Sequence, residues 1–154
     1  MLSDEEKQAI AAECQHCMEK QGASLEALKI LQRRRGWISD ESLHDICDYL
    51  DMTVEELDGV ASFYNLIFRK PVGRHVIYLC DSVSCWMLGY DRLREAVCAR
   101  LGIDFGETDR EGRFTLLPIA CLGACDHAPA LMIDEDLHHD VGVEQLEGIL
   151  ARYV

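Results

Sequence analysis

Residues 75–85 read HVIYLCDSVSC. The first six are β-branched, aromatic or apolar, which predicts a short buried strand from His75 to Cys80. The polar stretch that follows closes on Cys85, so a C-x4-C pair stands at the strand's C-terminal end. Working outward, a helix from about Tyr90 to Leu101 carries Leu93, Val97 and Leu101 on one face. RFTLL, residues 113–117, predicts a second strand ended by Pro118, and ALMID, residues 130–134, a third. A short fourth strand around His138 to Val141 makes a hairpin across Glu135 and Asp136. Val143, Leu146, Ile149, Leu150 and Tyr153 give a closing amphipathic helix. Strand, helix, three strands and a helix predict a small four-stranded sheet with helices packed against it. A right-handed crossover joins its first two strands.

Upstream, the pattern is helical. Ser3 and Glu6 form a capping box before apolar positions at Ile10, Cys14 and Cys17. A second helix covers Leu25 to about Arg34 and stops at Gly36. Leu43, Ile46, Cys47 and Leu50 stripe a third, Asp40 to Leu50. A second capping box, Thr53 with Glu56, opens a fourth whose stripe, Leu57, Val60 and Tyr64, runs towards Phe68. Pro71-Val72-Gly73 reads as a hinge. The fold class is therefore α+β: a helical bundle or arm, residues 1–70, then an α/β domain, residues 71–154.

The chain of 154 residues carries 15 Lys+Arg against 28 Asp+Glu, a formal charge of -13. That acidity is spread over both halves and argues against a protein that works by neutralising phosphates. Residues 39–66 resemble a helix-turn-helix in outline, yet hold eight acidic residues and no Lys or Arg, so a recognition helix there would be repelled by DNA. Those helices suit a protein docking surface better. Arg33-Arg34-Arg35 and Arg69-Lys70 are candidate contacts for acidic partner groups, with solvated charge as the plain alternative. No run of 18 apolar residues is present, and MLSDEEKQ is unlike a signal peptide. The expected compartment is the cytosol, where disulfides seldom persist and eight cysteines need another account.

Four of them form two close pairs, Cys80 with Cys85 and Cys121 with Cys125, the latter in CLGAC between the second and third strands. If those first two strands are neighbours or near-neighbours and parallel, both loops leave the same end of the sheet and four thiolates can converge. Tetrahedral zinc and an iron–sulfur cluster both use such a set. C-x3-C is unusual for a zinc knot, and the plant-type ferredoxin spacing is absent. Cys47 and Cys98 fall on or beside apolar stripes and read as small core side chains. Cys14 and Cys17 form a C-x2-C, but i+4 and i+7 from Ile10 they read as members of a buried helix face.

The runs FYNLIFRKPVGRHVI, residues 63–77, and LPIACLGACDHAPALMID, residues 117–134, carry a more specific likeness. With EALKILQRRRGWI at 26–38 and VEELDGVASFY at 54–64, they resemble the thioredoxin-like [2Fe-2S] subunit family of respiratory complex I, the NADH:quinone oxidoreductase. The resemblance covers nearly the whole chain. It implies that Cys80, Cys85, Cys121 and Cys125 ligate one [2Fe-2S] cluster, two on each iron in sequence pairs. It implies a thioredoxin-like C-terminal domain and an N-terminal helical segment that embraces a flavoprotein subunit. That partner would hold FMN, the NADH site and a [4Fe-4S] cluster, with other peripheral-arm subunits beyond it. The cluster would lie near the FMN and exchange one electron. The assembly would sit on the cytoplasmic side of the inner membrane, with no direct membrane insertion and no nucleic-acid partner.

The equivalent subunit of an NAD-linked hydrogenase or formate dehydrogenase is the alternative, and structural zinc a more distant one. G-x-G-x-x-G and P-loop motifs are absent, so NADH and FMN belong on the partner and no catalytic residue is expected here. An anionic cluster needs donors at its sulfurs. Backbone N–H groups of 81–86 and 122–126 are the expected ones, with Gly123 and Gly89 easing the turns. Trp86 and Met87 are candidates to shield the site or to pack the core. Asp81 and Asp126 face either the cluster or solvent.

Overall fold

The computed structural model describes residues 1–153 and divides into two compact units, Met1–Pro71 and a second beginning at Val72. The expected 71–154 span ends on Val154, which lies outside the described residues.

In the first unit, α1 (Asp4–Cys14), α2 (Ser24–Arg35), α3 (Asp40–Leu50) and α4 (Val54–Phe63) follow in order. Their starts are set locally. The Ser3 hydroxyl accepts from the Glu6 N–H at 3.1 Å while the Glu6 carboxylate accepts from the Ser3 N–H at 2.8 Å, and Thr53 and Glu56 repeat the exchange. Gly36 ends α2 with φ at 83°, a backbone conformation that side chains with a Cβ avoid. Ile10, Leu28, Leu31, Leu43, Ile46, Leu50 and Leu57 close one apolar core.

A charged group lies inside this unit. Glu6 is buried, and Arg35 grips it with two donors, Nε at 3.0 Å and Nη2 at 2.8 Å. The same guanidinium reaches the Ser42 hydroxyl at 2.8 Å and Asp45 at 3.4 Å. Hydrogen bonding from Arg35 outweighs burial and holds the Glu6 carboxyl at about 2, well below the ordinary range.

Three expectations for this unit need correction. The stripe from Leu57 does not run on to Phe68: Tyr64 is extended and exposed, because the Gln32 side-chain amide takes the Leu66 carbonyl (2.8 Å) and the Phe68 N–H (2.7 Å) as partners outside a helix. Cys17 is not on a helix face. Gln15, His16, Met18 and Glu19 are all exposed, nothing draws a further turn onto the core, and α1 ends at Cys14. Three of the candidate arginines are engaged within their own unit: Arg34 with Glu5 at 2.9 Å, Arg35 as above, and Arg69 with Asp58, Asp40 and the Ile38 carbonyl.

The second unit runs β1 (His75–Cys80), α5 (Val83–Met87), α6 (Tyr90–Leu101), β2 (Phe114–Ile119), β3 (Leu131–Ile133), β4 (Asp136–His138) and α7 (Val143–Leu150). The sheet order is β2-β1-β3-β4, with β1 and β2 parallel, His75 opposite Phe114 and Cys80 opposite Ile119. β3 pairs antiparallel with both β1 and β4. Ile77, Leu79, Leu93, Val97, Phe114, Leu116 and Ile133 form the core under the helices. Gly73 is required where the chain enters: its N–H meets the Thr115 hydroxyl at 2.6 Å, and a Cβ there would lie 2.9 Å from the Arg113 backbone.

Pro118 does not end β2, which continues to Ile119; β2 is an edge strand, where a missing N–H is tolerated. The hairpin turns at Asp134-Glu135, one residue early, and β4 starts two residues early, since Asp134 adopts φ 55° and its carboxylate accepts from the Val76 N–H at 2.9 Å, pinning the turn to β1. Val143 is half exposed and Tyr153 lies beyond α7, its hydroxyl donating to Asp136 at 2.9 Å. The stretch after Cys80, expected as a loop, contains the five-residue α5.

Candidate metal centre

Parallel pairing of β1 with β2 brings the two cysteine loops to one end of the sheet. Cys80 is the last residue of β1 and Cys85 lies in α5; both are buried. Cys121 follows β2, and Cys125 opens a short 3-10 turn, Cys125–His127; both are exposed. The Cys121 and Cys125 sulfurs are 3.7 Å apart. Cys80 interacts with both Cys85 and Cys121, so the four thiols form a continuous chain, 85–80–121–125. Ala124, Ala128 and Ala130 pack around Cys80 and Cys85, with Tyr90, Ile119 and Leu122 packed against the cluster. The Ala128–Pro129 peptide is cis.

The donors are neutral. The Gly123 N–H points at the Cys121 sulfur, 3.3 Å away, from a backbone turned to φ 75°. That contact, then the one from Cys125, lowers the Cys121 thiol, while Cys125 is raised by sharing with Cys121. Burial pushes Cys85 up to about 11, against a hydrogen bond from the Ala130 backbone. The Ser82 hydroxyl acts to lower the Cys121 and Cys125 thiols, and the Ser84 hydroxyl to lower Cys125, both less strongly than the causes above.

Of the donors expected from sequence, 122–126 supplies Gly123, but the Asp81 N–H is taken by the Ile119 carbonyl at 3.0 Å and the Trp86 N–H by the Ser82 carbonyl at 2.8 Å. Ser82, Ser84 and the Ala130 N–H are what sequence reasoning missed. The serines of DSVSC were a usable signal; Ala130 was not, being distant in the chain. Trp86 and Met87 are not core: at 61% and 73% exposure they line an open cleft with Leu88, Pro129 and Val143, since α5 is too short to bury two faces. Asp126 is exposed and approaches His127 at 3.6 Å, and Asp81 is exposed. Cys47 is buried in the helical core and Cys98 packs beside the sheet core.

Among the described residues, no group of three or more His, Cys, Asp and Glu is disposed to hold a metal ion. The sulfurs form a buried pair and an exposed pair, a four-thiol set of the kind that tetrahedral zinc and iron–sulfur groups both take.

A family model described as thioredoxin-like [2Fe-2S] ferredoxin matches residues 8–154. The chain is 46% identical over 154 residues to a protein of Pseudomonas aeruginosa named as a subunit of NADH-quinone oxidoreductase, covering all of this chain and 93% of the relative. It is 48% identical over 152 residues to the Escherichia coli protein of the same name, covering 99% of this chain and 92% of the relative. Among solved structures, an NAD+-reducing [NiFe]-hydrogenase superposes with a TM-score of 0.71 at 24% identity, over 82% of this chain and 22% of that one, a likeness of fold.

Proposed function

The chain belongs to the thioredoxin-like [2Fe-2S] ferredoxin family, and from that premise we propose that it is the [2Fe-2S] electron-transfer subunit of an NADH:quinone oxidoreductase. Cys80, Cys85, Cys121 and Cys125 are its ligands. The observation that carries this reading is the parallel β1–β2 pair, which turns two distant cysteine loops into one chain of four sulfurs. Near-full-length identity to two proteins named as subunits of NADH-quinone oxidoreductase favours that parent complex over a hydrogenase.

Cys80, Cys85, Cys121 and Cys125 would hold the cluster, which would supply one-electron chemistry. The chain's own residues set the terms on which it does so. Four thiolates bring negative charge, and burying it is costly without donors. The Gly123 and Ala130 N–H groups and the Ser82 and Ser84 hydroxyls supply partial positive charge at the sulfurs. Ala124, Ala128 and Ala130 exclude water from the buried pair without crowding it. NADH and FMN bind the partner flavoprotein subunit, near whose FMN this cluster sits, so the isolated chain has no dehydrogenase turnover. The helical unit, residues 1–70, docks on that partner. Among the described residues no helix is long and apolar enough to cross a membrane, and attachment to the cytoplasmic face runs through the complex.

Anaerobic purification with measurement of iron, acid-labile sulfide and the visible spectrum tests the reading. Two irons and two sulfides per chain and a brown protein are expected. A colourless protein with one zinc overturns it. Co-purification with a subunit that releases FMN on denaturation tests the partner.

A further inference from the structure

We propose that Cys14 and Cys17 are a reversible dithiol–disulfide site, oxidised by low-molecular-weight disulfides such as glutathione disulfide. The pair reads in sequence as part of a buried helix face; Cys14 does pack against the helical core, but Cys17 leaves the helix. Cys14 is the last residue of α1, and Cys17 lies in the bend that follows, both partly exposed. The Cys17 N–H donates to the Cys14 carbonyl at 3.2 Å. A four-residue turn closed in this way holds its end Cα atoms within about 7 Å, close to the span of about 4.4–6.8 Å that a disulfide bridges. The following loop folds onto the second sulfur: a Cβ on Gly22 would lie 3.1 Å from the Cys17 Cβ and 3.3 Å from its sulfur. The two thiols also sense each other. Burial first, then the charge of Cys17, pushes the Cys14 thiol up, while the Lys20 ammonium works against both.

The chemistry balances as two successive exchanges. The Cys17 thiolate, free of the helix end whose carbonyls disfavour an anion at Cys14, attacks one sulfur of glutathione disulfide and expels a glutathione thiolate. The Cys14 thiolate then attacks the Cys17 sulfur of the mixed disulfide and expels the second. The protein pair loses two electrons, the glutathione disulfide gains them, and the two thiol protons end on the two glutathiones. Excess reduced glutathione or dithiothreitol reverses both steps.

The test uses the full-length chain, purified anaerobically with its cluster, treated with glutathione disulfide, quenched in acid, alkylated and digested with trypsin. Cleavage after Lys7 and Lys20 releases residues 8–20 as one peptide that holds Cys14 and Cys17 and no other cysteine. The expected product is two hydrogens lighter, takes up no alkyl group, and returns to two alkyl groups after dithiothreitol. In Cys14→Ser the second exchange is blocked, and one glutathione stays on Cys17. A wild-type peptide that still takes two alkyl groups, or that retains glutathione on one sulfur, overturns the proposal. So does a Cys14→Ser peptide with no adduct. Because the peptide contains none of the four proposed ligands, the outcome is independent of the cluster assignment.

Discussion

The helical unit buries a carboxylate, Glu6, and answers it with the full opposite charge of Arg35. The sheet unit gathers four thiols and answers them with N–H and O–H dipoles from Gly123, Ala130, Ser82 and Ser84. A guanidinium fixes the charge state of its partner and ties α1 to α2 and α3. Neutral dipoles stabilise anionic sulfur without cancelling it, so the total charge stays free to change by one electron. The first arrangement suits a scaffold, the second a redox centre.

Cys125→Ala gives the largest effect and strikes the second arrangement directly. One thiolate is lost, and the paramagnetic signal of the reduced protein is expected to disappear, as it should in Cys85→Ala. An unchanged signal in either variant would remove that residue from the ligand set. Glu6→Gln attacks the first. A carboxyl moved from an ordinary 4.5 to about 2 contributes about 3 kcal/mol at neutral pH. The contribution is present above about 4.5 and lost as pH falls through about 2, because the unfolded chain takes up the proton first. Urea unfolding followed by helical circular dichroism should show the wild type losing that margin across this window, and Glu6→Gln lacking it at every pH. A wild type and variant of equal stability at pH 7 would refute the account.

Gly123→Ala separates backbone from charge. At φ 75° an added Cβ costs about 1–2 kcal/mol, and the N–H turned towards Cys121 shifts. A lower cluster content per chain is expected, read as iron and sulfide, with the helical unit's unfolding unchanged. The smallest effect belongs to Ser82→Ala. A lost hydroxyl donor should lower the reduction potential on the order of 50 mV, since about 1.4 kcal/mol corresponds to 59 mV for one electron. A potential that stays put would mean the Ser82 hydroxyl contributes nothing at the sulfurs.

Much of this was legible from local spacing. Both capping boxes, the bounds of α3, β1 and α6, and the Gly36 stop rest on residues within one or two turns of one another, where backbone preference and side-chain reach decide. The same holds for the closeness of Cys121 to Cys125. Where the reading slipped, a distant group had intervened. Gln32 drew residues 66–68 out of a helix, Asp134 moved the hairpin by capping β1, and an edge position let β2 run through Pro118.

The surface arginines and the cysteines show the same division. Arg35 and Arg69 looked available to a partner because sequence displays charge without displaying its counter-charge, 29 residues away in both Arg35–Glu6 and Arg69–Asp40. By itself the sequence determined most of the elements, the acidic field and the two cysteine pairs that resemble a [2Fe-2S] family. Only the tertiary structure decided that β1 and β2 join those pairs into one chain of sulfurs, that Ala130 donates to Cys85, and that Cys17 stands off its helix. Spacing along a chain fixes what a residue can reach within a turn. Which strand lies beside which is settled by burying Ile77, Leu79, Phe114 and Leu116 together, and the site inherits its geometry from that packing.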